Sequence, residues 1–341
     1  KSYNIWVNNV PIYGKKGKAI SGTSYNGSES VGLVHGTNKI QVSCRNGRGY
    51  ESLIQTYYVQ KSGETPEKNL YLVTVGTSNY KDPSYNLNYA VKDAKDMIKM
   101  FSSDSSVYTN VYSESLFDEE VTATNIERVH EFLKNSKPDD VVLVFVAGHG
   151  VLDNNFDYYF GTYDMDFTNP SAKGLPYEKL EGLLDGIAAN KKILIMDTCH
   201  SGEIDKDDVF FAEVSEEEEN ESDEIAFRSV GSAVKEDASM ATPSRLAGEL
   251  FNDLRKGTGS TVISSAGGAE FAMESDEWKN GLFTYCMLDG MKSGTADLDG
   301  DGEIMLLELQ EYVVDKVKAL SKGRQIPNSR IQNMELDFRI W

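Results

Sequence analysis

Cysteine is scarce in this sequence, which has only three among its 341 residues, at positions 44, 199 and 286. Three scattered thiols are too few for a disulfide framework or for a zinc site built from cysteines, so both classes of protein are excluded. For Cys44 and Cys286 we expect small buried side chains that serve only in packing. Cys199 differs from them, because it follows an apolar run that ends in Asp197 and Thr198.

Basic residues are also in short supply, because 34 Lys and Arg stand against 54 Asp and Glu, which gives a net charge of -20. Nucleic-acid binding depends largely on clustered Lys and Arg, so we expect no nucleic-acid partner and favour basic partners or substrates. No apolar run approaches the roughly 20 residues of a membrane helix, so we expect a soluble chain with no membrane partner. The first residue is Lys1 rather than Met, which suggests a processed form or a fragment and hides the compartment.

The length and a change in hydrophobic pattern predict two domains. Residues 1–62 alternate apolar and polar side chains in short runs between glycine-rich turns, which is typical of a small, immunoglobulin-like β-sandwich. A polar linker with Gly and Pro spans residues 63–69. In residues 70–341, apolar strands alternate with helical patterns, which predicts an α/β domain with a mostly parallel sheet covered by helices on both faces.

Two apolar strands of the second domain end in residues that can carry chemistry. Residues 141–147 lead to His149, which lies between two glycines, and residues 192–196 lead to Asp197, Thr198 and Cys199. The carboxyl ends of neighbouring parallel strands lie at one edge of a sheet, where ligands bind. We therefore expect His149 and Cys199 to face each other across a crevice, as nucleophilic catalysis by a thiol requires.

The sequence carrying these two motifs resembles a caspase-like cysteine peptidase, in particular the bacterial metacaspase-like, or orthocaspase, branch. The resemblance covers Glu67 to Trp341 and rests on A-G-H-G at 147–150, D-T-C-H-S-G at 197–202 and S-S-A-G-G at 264–268. It implies a caspase-like fold, with a mostly parallel six-stranded sheet between helices. It also implies a cysteine endopeptidase that needs no cofactor for its chemistry.

By this resemblance, Cys199 is the nucleophile, and His149 activates it and protonates the leaving amine. The backbone N–H groups of Gly150 and Cys199 would hold the oxyanion. His200 is the alternative base, but adjacent strand residues point to opposite faces, so we favour His149. The alternative function is a catalytically silent, caspase-shaped binding module, against which the intact Cys199 and His149 argue.

The residues around the nucleophile indicate the specificity. Relatives that cut after aspartate have Gln two residues before the nucleophile and Arg just after it, whereas this chain has Asp197 and His200. In metacaspase-like enzymes, carboxylates at positions matching Asp197 and Asp93 line the first specificity pocket, and Ser264 is a further substrate-binding position. The resemblance therefore implies cleavage after Arg or Lys. The alternatives are a strand-end cap for Asp197 and an exposed helix residue for Asp93.

An acidic segment follows the nucleophile at residues 203–243. Twelve acidic residues and one lysine lie between positions 203 and 224, so we expect a solvated loop. The family often matures by cutting the loop after the nucleophile strand, which implies self-cleavage within residues 203–245. The proposed pocket would accept Lys206, Arg228, Lys235 and Arg245, and Arg228 and Lys235 are favoured because they lie past the densest acidic stretch.

Residues 297–308 match the twelve-residue loop of an EF-hand. Acidic side chains occupy the first, third, fifth and twelfth positions, and glycine occupies the sixth. The candidate calcium ligands are Asp297, Asp299, Asp301, Glu303 and Glu308. The alternative is a solvated turn between two helices, and a calcium-responsive structural protein would explain this loop alone. Met305 supplies no side-chain oxygen at the ninth position, and the sequence has no second loop to pair with this one, so we expect modest affinity. A looser alternative calcium set, nearer the active centre, comprises Asp164, Asp166, Asp205 and Asp207.

Overall fold

The computed structural model describes residues 1–14, 16–103, 107–153, 157–198, 226–227, 258–266 and 272–331, with the final segment at 337–341. For residues 226, 227 and 331 it describes the backbone alone. The strands are β1 (Ser2–Val7), β2 (Val10–Pro11), β3 (Lys18–Ala19), β4 (Gly36–Arg45), β5 (Gln55–Lys61), β6 (Asn69–Gly76), β7 (Asn110–Phe117), β8 (Val141–Gly148), β9 (Gly150–Leu152), β10 (Tyr158–Phe160), β11 (Leu175–Pro176), β12 (Lys191–Thr198), β13 (Ala226–Phe227), β14 (Thr261–Ser264), β15 (Met273–Ser275), β16 (Asn280–Gly281) and β17 (Asn328–Ile331). The helices are α1 (Ala90–Ser103), α2 (Ala123–Leu133), α3 (Tyr177–Gly182), α4 (Leu282–Ser293) and α5 (Leu306–Leu320).

A six-stranded sheet forms the centre of the second domain, in the order β17-β14-β12-β8-β6-β7. Every neighbouring pair is parallel except β14 and β17, which are antiparallel. Every residue of β6 and β8 is buried, because both faces of these central strands are covered. The predicted α/β fold with a mostly parallel sheet is confirmed.

The helices pack on the two faces of this sheet and form two apolar cores. Helices α1, α4 and α5 pack against the side chains on one face of the sheet. Helices α2 and α3 pack against the side chains on the other face. The apolar stripe of α1 includes Ala90, Ala94, Met97 and Phe101, all buried at the helical spacing. In the described part of the chain, no helix has the length and apolarity to cross a bilayer.

The N-terminal region is all β, as predicted, and its described residues form one antiparallel sheet in the order β2-β1-β4-β5, with β3 paired to β1. The described residues of this region form no second sheet, so the predicted sandwich is not confirmed. This sheet contacts the second domain at the amino ends of the parallel strands. The His35 amide donates to the Asp139 carboxylate (3.0 Å), just before β8, and Lys61 pairs with the same carboxylate (3.8 Å). The carboxyl ends of β8 and β12 lie at the opposite edge.

One expectation about the cysteines needs correction. Cys44 is exposed, because it lies near the end of β4 beside a turn, whereas Cys286 is buried as expected, and burial raises the pKa of its thiol to about 12. The last strand of the central sheet, β17 at Asn328–Ile331, consists mostly of polar residues and has no alternating apolar pattern in the sequence.

Candidate active site

His149 follows β8 directly, and Gly148 makes this turn possible. The φ of Gly148 is +156°, and a Cβ at this residue would lie 2.9 Å from the hydroxyl of Tyr80. A side chain at this position would therefore displace Tyr80, whose hydroxyl oxygen accepts the His149 backbone N–H (2.9 Å). Glycine before the histidine thus allows a buried tyrosine to fix the histidine backbone.

His149 is buried, and its ring has a defined orientation. Its Nε2 lies 2.8 Å from the backbone carbonyl oxygen of Tyr85. A carbonyl oxygen only accepts hydrogen bonds, so Nε2 carries the hydrogen. In the neutral imidazole, the nitrogen available to accept a proton is therefore Nδ1.

Three aromatic rings surround this imidazole. The ring centroids of Tyr80 and Phe167 lie 5.1 and 5.5 Å from that of His149, and the ring of Tyr85 lies 6.4 Å away. Tyr85 also stacks on Phe167 at 3.9 Å. The rings restrict rotation of the imidazole and limit its contact with water, which strengthens its hydrogen bonds.

The second chemical motif lies beside the first in the sheet. In the parallel pair of β8 and β12, Asp197 lies opposite Ala147 and Thr198 lies opposite Gly148. Cys199 and His149 each come one residue after this last pair, Thr198 and Gly148. Cys199 itself lies outside the described residues, as does the alternative base His200.

Thr198, which is bonded to Cys199, is held by two hydrogen bonds. Its hydroxyl lies 2.8 Å from the hydroxyl of Tyr158, and its carbonyl oxygen accepts the hydroxyl of Ser265 (3.1 Å). The carbonyl of Ser265 in turn accepts the side-chain amide of Gln325 (2.8 Å). All four side chains are buried, so the end of β12 is fixed by neighbours from three other parts of the chain.

The two carboxylates assigned to specificity are fully buried. Asp197 accepts the hydroxyl of Thr284 on its Oδ2 (2.5 Å). Asp93 accepts the backbone N–H of Gly281 (3.1 and 3.2 Å to its two oxygens) and the side-chain amide of Asn280 (2.9 Å). Asp93 is therefore not the exposed helix residue of the alternative, because it packs against the start of α4.

Gly150 and Ser264, the other two described residues of the expected site, have different surroundings. The backbone N–H of Gly161 donates to the carbonyl of His149 (2.8 Å), at the open end of the hairpin of β9 and β10. Because these bonds alternate along an antiparallel pair, the N–H of Gly150 points to the side opposite β10. Ser264 is buried in β14, opposite Met196, and its hydroxyl donates to the carbonyl of Ala266 (3.1 Å).

The acidic segment and the two favoured processing positions, Arg228 and Lys235, lie outside the described residues. The same holds for Lys206, Arg245, Asp205 and Asp207. Of the looser calcium set, Asp164 is paired with Lys173 (2.6 Å), and Asp166 accepts the backbone N–H of Thr168 (2.9 Å).

The loop at residues 297–308 brings three of its acidic side chains together. Carboxylate oxygens of Asp297, Asp299 and Glu308 all lie within 4.8 Å of one another. Asp301 instead accepts the backbone N–H of Glu303 (2.8 Å), and the Glu303 side chain pairs with Arg339 (2.9 Å). This oxygen-only donor set suits a hard cation such as Ca²⁺, which takes carboxylate ligands.

A segment at the end of the described chain pairs with this loop. The amide of Ile304, at the eighth loop position, donates to the carbonyl of Trp341 (3.0 Å), and the amide of Ile340 donates back to Ile304 (2.9 Å). The amide of Leu306 donates to the carbonyl of Phe338 (3.0 Å). Backbone pairing with residues 338–341 thus supports the loop, although the sequence contains no second calcium loop.

Several residues that shape the site gave no signal in the sequence. Tyr85 acts through its backbone carbonyl, which every residue type has, and Tyr80 lies 69 positions from the histidine whose amide it accepts. Thr284 lies 87 positions from Asp197. Only the tertiary fold identifies these partners.

The family model described as the caspase domain matches residues 71–338. No curated protein sequence matches the chain. Among solved structures, protein GSU0716 from Geobacter sulfurreducens is 17% identical with a TM-score of 0.51, over 78% of this chain and 93% of that one. Caspase-1 from Spodoptera frugiperda is 12% identical with a TM-score of 0.45, over 77% of this chain and 86% of that one.

Proposed function

This chain belongs to the caspase-domain family, and from that membership we propose that it is a cysteine endopeptidase of the metacaspase-like branch. Cys199 is the proposed nucleophile and His149 its base. The observation that carries the proposal is the parallel pairing of Thr198 with Gly148, because the next residue along each strand is the proposed nucleophile or its base. Proteins and peptides are the proposed substrates.

The orientation of His149 supports a defined proton path. Nδ1 takes the proton of the Cys199 thiol, and the thiolate attacks the carbonyl carbon of the scissile bond. The resulting imidazolium is stabilised because its Nε2–H already donates to the Tyr85 carbonyl. When the C–N bond breaks, the proton on Nδ1 passes to the leaving amine, and the acyl group remains on sulfur as a thioester. Water then hydrolyses the thioester with His149 as the general base.

The oxyanion formed during attack needs fixed donors. The N–H of Gly150 is one proposed donor, and its direction away from β10 supports this role. The N–H of Cys199 is the second proposed donor. The two hydrogen bonds that hold Thr198 would limit movement of both the nucleophile and this donor.

Cleavage after Arg or Lys is the proposed specificity. Asp197 lies two residues before the nucleophile with its carboxylate buried, and a cation that entered beside it would be desolvated and strongly attracted. Asp93 contributes negative charge to the same region, and Ser264 is proposed as a substrate contact. Arginine is favoured over lysine because its planar guanidinium can bind a carboxylate through two parallel hydrogen bonds.

Two forms of control are proposed with this activity. Self-cleavage within residues 203–245, with Arg228 and Lys235 favoured, follows from the proposed specificity. Calcium binding at residues 297–308 is supported by the approach of Asp297, Asp299 and Glu308 to one another. Asp301 and Glu303 are proposed ligands as well, Glu303 through its backbone carbonyl at the seventh loop position.

The specificity is tested with matched fluorogenic peptides that differ only in having Arg, Lys or Asp before the scissile bond. The proposal expects the Arg and Lys peptides to be cleaved and the Asp peptide to be inert, with Asp197→Asn losing at least about 100-fold in kcat/KM for the Arg peptide, or about 2.7 kcal/mol. Faster turnover of the Asp peptide would exclude this specificity. The silent binding module predicts no turnover of any peptide.

A further inference from the structure

The first turn of α4 contacts both specificity carboxylates. The backbone N–H of Gly281 donates to Asp93, and the hydroxyl of Thr284 donates to Asp197 at 2.5 Å. Asp93, Thr284 and Asp197 are all fully buried, so no bulk water competes for these bonds. Two residues three positions apart in one helical turn therefore hold two carboxylates that come from α1 and β12.

The geometry of a helix start explains this arrangement. Gly281 caps the 12-residue helix α4 and has no side chain of its own to accept an N–H at the helix end. Asp93, from another helix, accepts the N–H of Gly281 itself and lies where the helix dipole favours negative charge. Residues 281 and 284 lie on the same side of the helix start, about 5 Å apart, so one turn of the chain holds both carboxylates.

Asn280 strengthens the connection on the Asp93 side. Its side-chain amide donates to Asp93 and to Asp96 (both 2.9 Å), and its carbonyl oxygen accepts Lys92 (3.1 Å). The position at which α4 begins is therefore fixed by α1, and the position of Thr284 is fixed with it.

We infer that Thr284 is a positioning residue for substrate specificity: its hydroxyl holds the Asp197 carboxylate in the orientation that a guanidinium needs. This inference rests on the proposed cleavage after Arg or Lys. A guanidinium binds through two parallel N–H groups, so it requires a carboxylate plane of defined direction. An ammonium is a point charge with rotatable donors and tolerates a carboxylate that has turned.

A difference between arginyl and lysyl peptides therefore separates positioning from simple stabilisation. If Thr284 only satisfies a buried carboxylate, its loss lowers stability and affects both peptides equally. If Thr284 orients Asp197, its loss harms arginyl peptides more. We expect the effect mainly on KM, because the substitution changes the orientation of a proposed substrate-binding carboxylate and leaves the described hydrogen bonds of His149 in place.

The test compares Thr284→Val, which removes the hydroxyl and keeps the shape, with Thr284→Ser, which keeps the hydroxyl. Thr74→Val is the matched control, since Thr74 is a buried threonine on β6 whose hydroxyl has no hydrogen-bond partner among the described residues. For Thr284→Val we expect kcat/KM to fall about tenfold for the arginyl peptide, or about 1.4 kcal/mol, and no more than about threefold for the lysyl peptide. Thr284→Ser and Thr74→Val should keep the arginyl-to-lysyl ratio of the wild type.

Affinity supplies a readout that does not need turnover. In the Cys199→Ala background, calorimetric titration with the uncleaved arginyl peptide should show the same loss of affinity for Thr284→Val. If that variant fails to fold by circular dichroism, Thr284→Ala replaces it. An unchanged arginyl-to-lysyl ratio in Thr284→Val, with the wild type preferring arginine, overturns this inference alone. A wild type that prefers aspartyl peptides overturns the proposed specificity, and the inference with it.

Discussion

Thr198 lies directly opposite Gly148 in the adjacent parallel strands β12 and β8. The next residues in the sequence are Cys199 and His149. The imidazole is oriented by the carbonyl of Tyr85, and the end of the nucleophile strand is held through Thr198. The pairing of β8 with β12 aligns the ends of the two strands, and Tyr85, Tyr158 and Ser265 hold His149 and Thr198 in place.

The first prediction concerns the tyrosine that fixes the His149 backbone. Tyr80→Phe removes the oxygen that accepts the His149 N–H and leaves this buried donor without it, at a cost of about 1–3 kcal/mol in the free energy of unfolding. Because the histidine backbone would then shift, we expect kcat to fall about tenfold with little change in KM. Tyr85→Phe is the control, since Tyr85 acts through its carbonyl and its ring. A Tyr80→Phe enzyme with wild-type kcat would show that this hydrogen bond is unimportant for catalysis.

The second prediction concerns maturation. Purified wild-type protein should separate into two fragments, and intact mass spectrometry should locate the cut after Arg228 or Lys235. Cys199→Ala should stay intact, and Arg228→Gln with Lys235→Gln should block or displace the cut. Equal masses for wild type and Cys199→Ala would contradict self-cleavage.

The third prediction concerns calcium. Glu308→Gln removes a charge from the group formed with Asp297 and Asp299 and should weaken calcium binding at least about tenfold from a starting Kd that we place between about 10⁻⁵ and 10⁻³ M. Calorimetric titration with CaCl₂ measures both values. Glu311→Gln, an exposed change on the same helix, should bind as the wild type does. If the wild type releases or absorbs no heat of calcium binding, the loop is the solvated turn between two helices and not a calcium site.

The fourth prediction concerns the pH dependence of stability. Lys192 is buried at the amino end of β12, where its ammonium donates to the carbonyls of Leu184 (3.0 Å) and Thr258 (3.3 Å). Burial lowers the pKa of Lys192 from its ordinary value near 10.5 to about 7. Between these pH values the unfolded chain binds a proton that the folded chain lacks, so this residue makes stability rise with pH from about 7 to 10.

The control for this prediction removes the titrating group. The free energy of unfolding of the wild type, minus that of Lys192→Met, should increase between pH 7 and pH 10 in urea titrations. Lys179→Met, at an exposed position, should show a constant difference from the wild type. A constant difference for Lys192→Met as well would show that Lys192 does not titrate in this window.

The sequence predicted the parts of this molecule that depend on local pattern. Continuous apolar runs predicted β6, β8 and β12, and the polar residues at their ends predicted where His149 would lie. Nothing in the sequence indicated that Asp197 and Asp93 are fully buried or that both contact the start of α4. Strand β17 was missed because an edge strand of four mostly polar residues has no apolar face to reveal it.

What the sequence could not predict are contacts between distant positions. The carbonyl of Tyr85 has no residue-specific signature, so its role in orienting the imidazole depends on where the short turn at Pro83–Tyr85 packs. The support of the loop at 297–308 by Trp341 follows from backbone pairing, which any residue type could provide. Burial of Asp93 depends on the start of α4, which lies 188 positions away.

The most direct test of the proposed enzyme is the hydrolysis of one arginyl fluorogenic peptide by wild type, Cys199→Ala and His149→Ala, measured side by side with intact-mass detection of an arginyl acyloxymethyl ketone bound to the protein. The account predicts turnover and one covalent label on Cys199 in the wild type, and neither in Cys199→Ala. For His149→Ala it predicts turnover reduced at least about 100-fold, together with slowed labelling. Turnover that survives in Cys199→Ala, or a wild type that neither cleaves the peptide nor takes the label, would contradict it.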